Sequence, residues 1–563
     1  MAIPISPGVY TKIIDLSTYV QAVPGTIGFT CILSRKGPDN ELTLCSSTEQ
    51  FISKFGEPNI LDYGKQYGQG PYICYNHLQV STMLYVMRCL PEGGENDGTE
   101  TPALAAEYAN LFLMYNEDTT SSIVTTSYDL MTTTDALETA LETVVSNQTP
   151  IAFFRPIGRG DYYNDVGIRI TAHENTTLAE DAIYILDIYE KQKSNGLDAI
   201  IESFTVSFLE GIVDSGGESM WVEDVVNKYS NVLKVLTNSD GIDLVINDEL
   251  SYGEPFASTT NAVHLAQGSE GGLIEIADSG RRTVNTGVAT QILTKGFAGE
   301  LDDAILDLDN IYFTIVWDCG YPADVKDQIA TLVKSIRLDC VAIMDNGDNV
   351  NYDDSATARL DVNDWNSRYI SIYESYSKVY DLFTGRDIWV TPVYHMSTII
   401  PLNDRLYEVW YPSAGFNRAT ISKIKELRFN PILGERDLMY LAQLNPIVKF
   451  NVGYTVWGQL TSQKKPSKLQ DLHAIRAVLY IKRALEQYCK FFIFEFNEPD
   501  TWSTIQNDIA PFLNFIKSCK GLESFSVEVG ATEYEKKAKI CHVNVTLVPM
   551  PVIEKIELNL FIK

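Results

Sequence analysis

Three stretches near one end of the chain share a signature: GLESFSVEVG (521–530), CHVNVTLVPMP (541–551) and VIEKIELNLFIK (552–563). Phe525, Val527 and Val529 alternate with polar residues in the first. Cys541, Val543, Val545 and Leu547 do so in the second, and Ile556, Leu558, Leu560 and Ile562 in the third. Period-two alternation predicts strands with one apolar face each. Pro549-Met550-Pro551 detaches the third from the second, because proline cannot continue a hydrogen-bonded ladder. A detached strand of this kind pairs within its own subunit or adds to a neighbour's sheet edge.

Upstream of these strands, Leu469 to Cys489 reads as a long amphipathic helix with Leu472, Ile475, Val478, Leu479 and Leu485 on its core stripe. Pro466-Ser467 supplies the start signal, and neither Pro nor Gly interrupts it. Residues 403–548 are therefore expected to form a closing domain, with 549–563 as a C-terminal arm strand.

The other end mirrors this arrangement. Residues 1–25 are broken by Pro4, Pro7-Gly8 and Pro24-Gly25, but Val9, Tyr10, Ile13 and Ile14 lie in a segment of strong β propensity. An extended N-terminal arm is expected. Residues 26–91 follow as a small α/β unit: strand Gly28–Leu33, helix Ser47–Phe55 closed by Gly56 and Pro58, helix Tyr72–Val80, and strand Met83–Leu90. A Gly-rich polar linker, Glu92 to Thr101, breaks the pattern. From Cys89 to Phe154 there is no Lys or Arg, and the same span holds eleven acids. Residues 92–164 are expected to be an acidic, outward-facing insertion. Residues 165–295 read as β-rich, with alternation at Gly167–Ile170 and at Phe204, Val206 and Phe208. Residues 296–402 return to α/β alternation. The buried-type runs Ile311–Trp317 and Cys340–Met344 flank a helix at Asp324–Ser335, as in a mostly parallel sheet.

The whole is an α/β and α+β multidomain chain of 563 residues with a formal charge of −30. That charge disfavours binding to nucleic acid or to an anionic membrane, and no apolar run has the length of a membrane span. Neither partner is expected. No signal peptide precedes Pro4, which points to a product soluble in the cytosol at synthesis. Nine cysteines without a CxxC pair read as free thiols in a reducing compartment.

Signatures of catalysis are missing. No P-loop, GxGxxG, HExxH or GxSxG occurs, and the six histidines do not pair at metal-ligand spacing. No catalytic residue, cofactor or metal is expected. One feature breaks the acidic background: Lys464, Lys465, Lys468, Arg476, Lys482, Arg483 and Lys490 face only two acids in the same span. Such a cluster suits either charge balance on a helix surface or contact with an acidic partner.

Several short motifs, taken in order, resemble the tail sheath proteins of contractile-tailed bacteriophages. They are Ser6-Pro7-Gly8-Val9-Tyr10, Leu84 to Arg88, Gly160 to Asn164 and Glu223 to Asn227. More specific are Asn403-Asp404, Tyr411 to Arg418, Leu444-Asn445-Pro446-Ile447 and Gly453 to Thr461. The last departs slightly from the family pattern, which usually carries Arg or a similar residue near Gln459 and Leu460.

The resemblance implies a sheath core made of the first α/β unit and the closing domain, with a subtilisin-like α/β domain and outward-facing β-rich insertions. It implies a non-enzymatic subunit that stacks as hexameric rings around an inner tail tube and contracts to drive the tube through the host envelope. Its implied partners are itself, the tube protein, and baseplate and tail terminator proteins. Its implied place is the virion tail, assembled in host cytoplasm. Strand exchange between subunits would use Val9, Tyr10, Ile13, Ile14, Ile556, Leu558, Leu560 and Ile562, and the basic cluster would face the tube. Alternatives are the sheath of a phage-tail-like bacteriocin or other contractile injection system, and a cytosolic hydrolase using the α/β domain. A surface adhesin, suggested by Thr-rich 119–134, would need a secretion signal.

Overall fold

The continuous apolar runs of the sequence become the centre of one nine-stranded sheet. Gly28–Ile32, Ile315–Trp317, Val341–Asp345 and Ile370–Glu374 are buried along their whole length, as strands covered on both faces must be. The computed structural model describes residues 25–95, 103–116, 122–127, 133–141, 148–172, 183–192, 196–240, 242–243, 262–276, 282–361 and 365–560. Across the sheet the order is Thr420–Ile421, Gly453–Val456, Leu444–Phe450, Ile370–Glu374, Val341–Asp345, Ile315–Trp317, Gly28–Ile32, Leu84–Arg88 and Leu42–Cys45. The six strands from Leu444–Phe450 to Leu84–Arg88 run parallel, and antiparallel neighbours close both sides.

Helices cover this sheet. Asn285 caps the helix Thr286–Ala298 by accepting from the N–H groups of Gly287 and Val288, and Gly299 ends it in a left-handed conformation. Its Phe297 meets Phe29 edge-on at 5.8 Å, while Phe313 stacks on the same ring at 4.8 Å. Gly28 has no room for a side chain: a Cβ there would lie 2.6 Å from Trp317 Nε1 and 2.7 Å from a Leu84 methyl. The helix expected at Asp324–Ser335 is Ala323–Thr331, continued by a π-helical stretch, Leu332–Arg337.

The sheet crosses two expected boundaries. Strands from 26–91, from 296–402 and from 403–456 share it, so the first half of the expected closing domain is built into the core sheet. The physical reason is parallel pairing of Leu444–Phe450 with Ile370–Glu374, which places a motif-rich segment beside strands far away in sequence.

The 92–164 and 165–295 segments also interleave. One four-stranded antiparallel sheet has the order Leu233–Thr237, Gln148–Pro156, Leu111–Asn116, Ser122–Thr126. Another has the order Val263–His264, Val166–Ala172, Ile183–Lys191, Asp198–Ser207. Both contribute to one apolar cluster, which includes Phe154, Tyr163, Ile168, Leu186 and Val235. The expectation of an acidic, solvent-facing 92–164 is therefore corrected in part. Leu111–Tyr115 and Ile151–Phe154 are buried, and Glu95 is buried against Lys295 Nζ at 2.7 Å. Asp135 and Glu138 do face solvent. Trp221 to Leu236, less regular in sequence, holds a helix, Val222–Tyr229, before its strand.

A separate cluster gathers the C-terminal unit. The helix Leu472–Cys489 packs Ala477, Ile481 and Ala484 against Ile505, Ile509, Leu513 and Ile516 of a second helix, Pro499–Ser518. That second helix is the longest described, and the sequence expectations hold no helix there. Pro499 in its first turn and the spacing of Ile505, Ile509 and Leu513 were the available signals.

Candidate assembly surfaces

Leu522–Gly530 and His542–Pro549 form the expected strand pair, antiparallel from Leu522↔Pro549 to Gly530↔His542. One face packs Phe525, Val527, Val529, Val543, Val545 and Leu547 against the helix-built cluster. Thr532 and Glu535 cap the turn between the strands reciprocally. Among the described residues these two strands pair only with each other, so both outer edges keep unpaired backbone groups.

The base of the hairpin is fixed to the body. Trp410 Nε1 donates to the Cys519 carbonyl at 2.9 Å, and His473 Nε2 lies 3.1 Å from the Met550 carbonyl oxygen. Beyond it, the described residues 551–560 form no strand and pair with no edge of the described structure, so of the two expected alternatives pairing within one chain is not seen over Ile556–Leu560. Ile553, Ile556, Leu558 and Leu560 are each about four-fifths exposed. Tyr440 Oη donates to Glu554 Oε2 at 2.8 Å and anchors the root of the segment. Burial and the nearby Glu554 carboxylate push the Asp471 carboxyl up to about 6. Val9, Tyr10, Ile13, Ile14 and Ile562 lie outside the described residues.

The basic cluster does not form one patch. Arg476 is buried and ion-paired with Asp404, so it is withdrawn from any external contact. Lys482 Nζ donates to the Leu338 carbonyl and Arg483 Nη1 to the Leu308 carbonyl, both at 3.2 Å. The Arg483 guanidinium also lies 4.5 Å from the Tyr312 ring centre, and Lys490 Nζ pairs with Asp309 at 2.6 Å. These three brace the helix Leu472–Cys489 on its own chain. Lys464, Lys465 and Lys468 are exposed on the loop before that helix. The sequence could not separate the two groups, because helical spacing says nothing about which carbonyls lie across from a lysine.

Polar groups that imitate catalysis are buried. Ser377 Oγ lies 2.7 Å from His395 Nε2, but both are buried, and burial pushes the histidine down to about 3. Lys326 Nζ sits 2.9 Å from Asp345 Oδ1 and 3.3 Å from Asp318 Oδ2, and donates to the Tyr321 carbonyl. This triad ties the ends of two parallel strands to a helix. Burial pushes Asp318 up to about 6, against the pull of the Lys326 ammonium. Among the described residues no cluster of His, Cys, Asp or Glu has the makings of a metal site, and no helix is long and apolar enough to cross a membrane. Cysteines among the described residues form no disulfide.

The fold is similar to that of solved sheath tail proteins. The crystal structure of the sheath tail protein from Desulfitobacterium hafniense superposes with a TM-score of 0.54 over 98% of each chain, at 10% identity. In sequence, the chain is 27% identical over 160 residues to the tail sheath protein of Vibrio phage KVP40. It is 24% identical over 167 residues to the tail sheath protein of Enterobacteria phage T4. These matches cover 28% and 30% of this chain, and 24% and 25% of the relatives, about a quarter of their length. No protein-family model matches. The resemblance to sheath proteins thus rests on sequence over about 30% of the chain and on fold over 98% of it.

Proposed function

We propose that this chain is the structural subunit of a contractile tail sheath and has no catalytic role. Subunits polymerise as stacked rings, hexameric by the family resemblance, around an inner tail tube. Contraction then drives the tube through the host envelope, with baseplate and tail terminator proteins at the two ends. The nine-stranded sheet and its helices would be the subtilisin-like core, and the two four-stranded sheets the outward insertion.

The observation that carries this reading is the hairpin Leu522–Pro549 with its two open edges, followed by an exposed apolar segment. An isolated two-stranded sheet is marginal in water. Open edges invite a further strand, and the 551–560 segment of a neighbour supplies one by strand addition. The N-terminal segment around Val9–Ile14 would serve in the same way at another contact. Such links tether subunits while their other contacts change. No nucleotide is required, because the extended lattice is a metastable state whose free energy is stored at assembly. Of the basic residues, Lys464, Lys465 and Lys468 remain the candidates for tube contact.

The test is polymerisation of purified protein, followed by light scattering and electron microscopy. The full chain is expected to form sheath-like polymers, and removal of residues 551–563 to suppress them while leaving a folded monomer. Undiminished polymerisation of the truncated chain would contradict strand addition by that segment.

A further inference from the structure

At the far end of the helix Leu472–Cys489 the chain passes through a single 3-10 turn, Lys490–Phe492, into a loop reading Phe-Phe-Ile-Phe-Glu-Phe (491–496). Four large apolar side chains of this loop stand in solvent: Phe491 at 74% exposure, Ile493 at 60%, Phe494 at 103% and Phe496 at 79%. Phe494 also has φ +79°, a conformation that bulky L-residues avoid. Only Phe492 turns inward, its ring 5.1 Å from that of Tyr488. The loop is fixed in place: Trp502 Nε1 donates to Asn497 Oδ1 at 2.8 Å, and Asn497 Nδ2 donates to the Ile540 carbonyl at 2.9 Å, beside the hairpin turn. An apolar patch of this kind marks a surface that is covered in the working state.

The longest run of exposed apolar side chains after the hairpin, among the described residues, is the segment bearing Ile553, Ile556, Leu558 and Leu560. Within one chain the two do not meet. The strand His542–Pro549 runs from the turn, next to the loop, to the base, about 26 Å away at 3.3 Å per residue. The segment therefore leaves from the opposite end of the hairpin. There His473 and Tyr440 hold Met550 and Glu554 and steer it toward the nine-stranded sheet. Two unlike patches at opposite ends of one unit make a heterologous, head-to-tail contact, which propagates rather than closing as a dimer. Ten extended residues reach about 33 Å, enough to run the length of a neighbour's hairpin and arrive at its turn.

We propose that the Phe491–Phe496 loop is the docking site for the 551–560 segment of a second copy of this chain. The proposal rests on the self-assembly reading above and adds to it an apolar clasp that receives the segment.

The test places the photo-crosslinker p-benzoylphenylalanine at position 494 and polymerises a mixture of ¹⁴N- and ¹⁵N-labelled protein. Cross-links that join light to heavy chains and map to 551–560 are expected. Cross-links confined to one isotope, which would place the chain's own N-terminal segment on the loop, overturn the proposal. So do cross-links to any other part of a second copy. Polymers without cross-links overturn it alone, whereas failure to polymerise overturns the assembly reading and this inference with it. As a second measurement, Phe491→Ser with Phe494→Ser alters only exposed side chains, so the monomer's melting temperature is expected to hold. The protein concentration needed for half-maximal polymerisation should rise at least about tenfold. An unchanged concentration counts against the clasp.

Discussion

Arg476 Nη1 lies 3.0 Å from Asp404 Oδ1 in the interior, and this pair joins the C-terminal unit to the main sheet. Arg476 projects from the helix Leu472–Cys489, and Asp404 stands in the last turn of the helix Val393–Leu406. Asp404 also accepts from Thr26 Oγ1, just before the first strand of the sheet, and Arg476 donates to the Val409 carbonyl. Arg476→Ala leaves a buried carboxylate without its cation and is expected to destabilise the fold by about 3–5 kcal/mol. Urea unfolding of the monomer measures it. A loss below about 1 kcal/mol would mean that water reaches Asp404.

The exposed and braced lysines should separate cleanly. Lys464→Glu, Lys465→Glu and Lys468→Glu together are expected to leave the melting temperature within about 2 °C of the parent, because surface substitutions typically change stability by under about 0.5 kcal/mol. Assembly on tubes should weaken if this loop meets an acidic tube surface. Lys482→Glu with Arg483→Glu removes two hydrogen bonds and a cation–π contact within the chain. It is expected to lower monomer stability by roughly 1–3 kcal/mol, so weakened assembly of that variant would not by itself identify tube contact.

Glu374 gives the fold a pH dependence of definite sign. Its carboxyl is fully buried, Asn349 Nδ2 donates to Oε1 at 3.2 Å, and Oε2 has no hydrogen-bond partner among the described residues. Burial pushes it from 4.5 up to about 8. Between those values the folded state holds a proton that the unfolded state releases, so this group makes stability fall as pH rises from about 4.5 to about 8. Glu374→Gln should flatten that slope in urea midpoints taken at pH 5, 6.5 and 8. An unaltered slope would show that Glu374 is ionised in the fold.

The root of the exposed segment should respond to pH as well. Asp471 is raised from 3.8 to about 6 by burial and by Glu554, so the folded arrangement gains a proton as pH falls through about 6. Below that, repulsion between the two carboxyls is relieved and the root tightens. Amide hydrogen exchange over residues 550–556, corrected for intrinsic rates, should slow from pH 7 to pH 5. Asp471→Asn should remove the difference. Exchange that quickens at pH 5 would contradict this.

Parts of this structure are legible in the sequence because they are local. Alternation at Phe525, Val527 and Val529, and at Val543, Val545 and Leu547, gives the hairpin directly. Ser47 before Thr48–Phe55 gives a capped helix. What pairs over long distance is not legible. Ile315–Trp317 beside Gly28–Ile32, and Leu444–Phe450 beside Ile370–Glu374, depend on tertiary packing that no local pattern encodes. Pro511 inside Pro499–Ser518 hid that helix, since proline ordinarily ends one. The Phe491–Phe496 loop is illegible for another reason: in sequence it reads like core, and only its exposure makes it a surface.

The most direct measurement is electron microscopy of the purified chain at rising concentration, with and without residues 551–563. The expected result is hollow, sheath-like cylinders from the full chain and discrete particles from the truncated one, with matching circular dichroism for the two. Cylinders of equal abundance from both, or none from the full chain even on added tubes, would contradict assembly through strand addition.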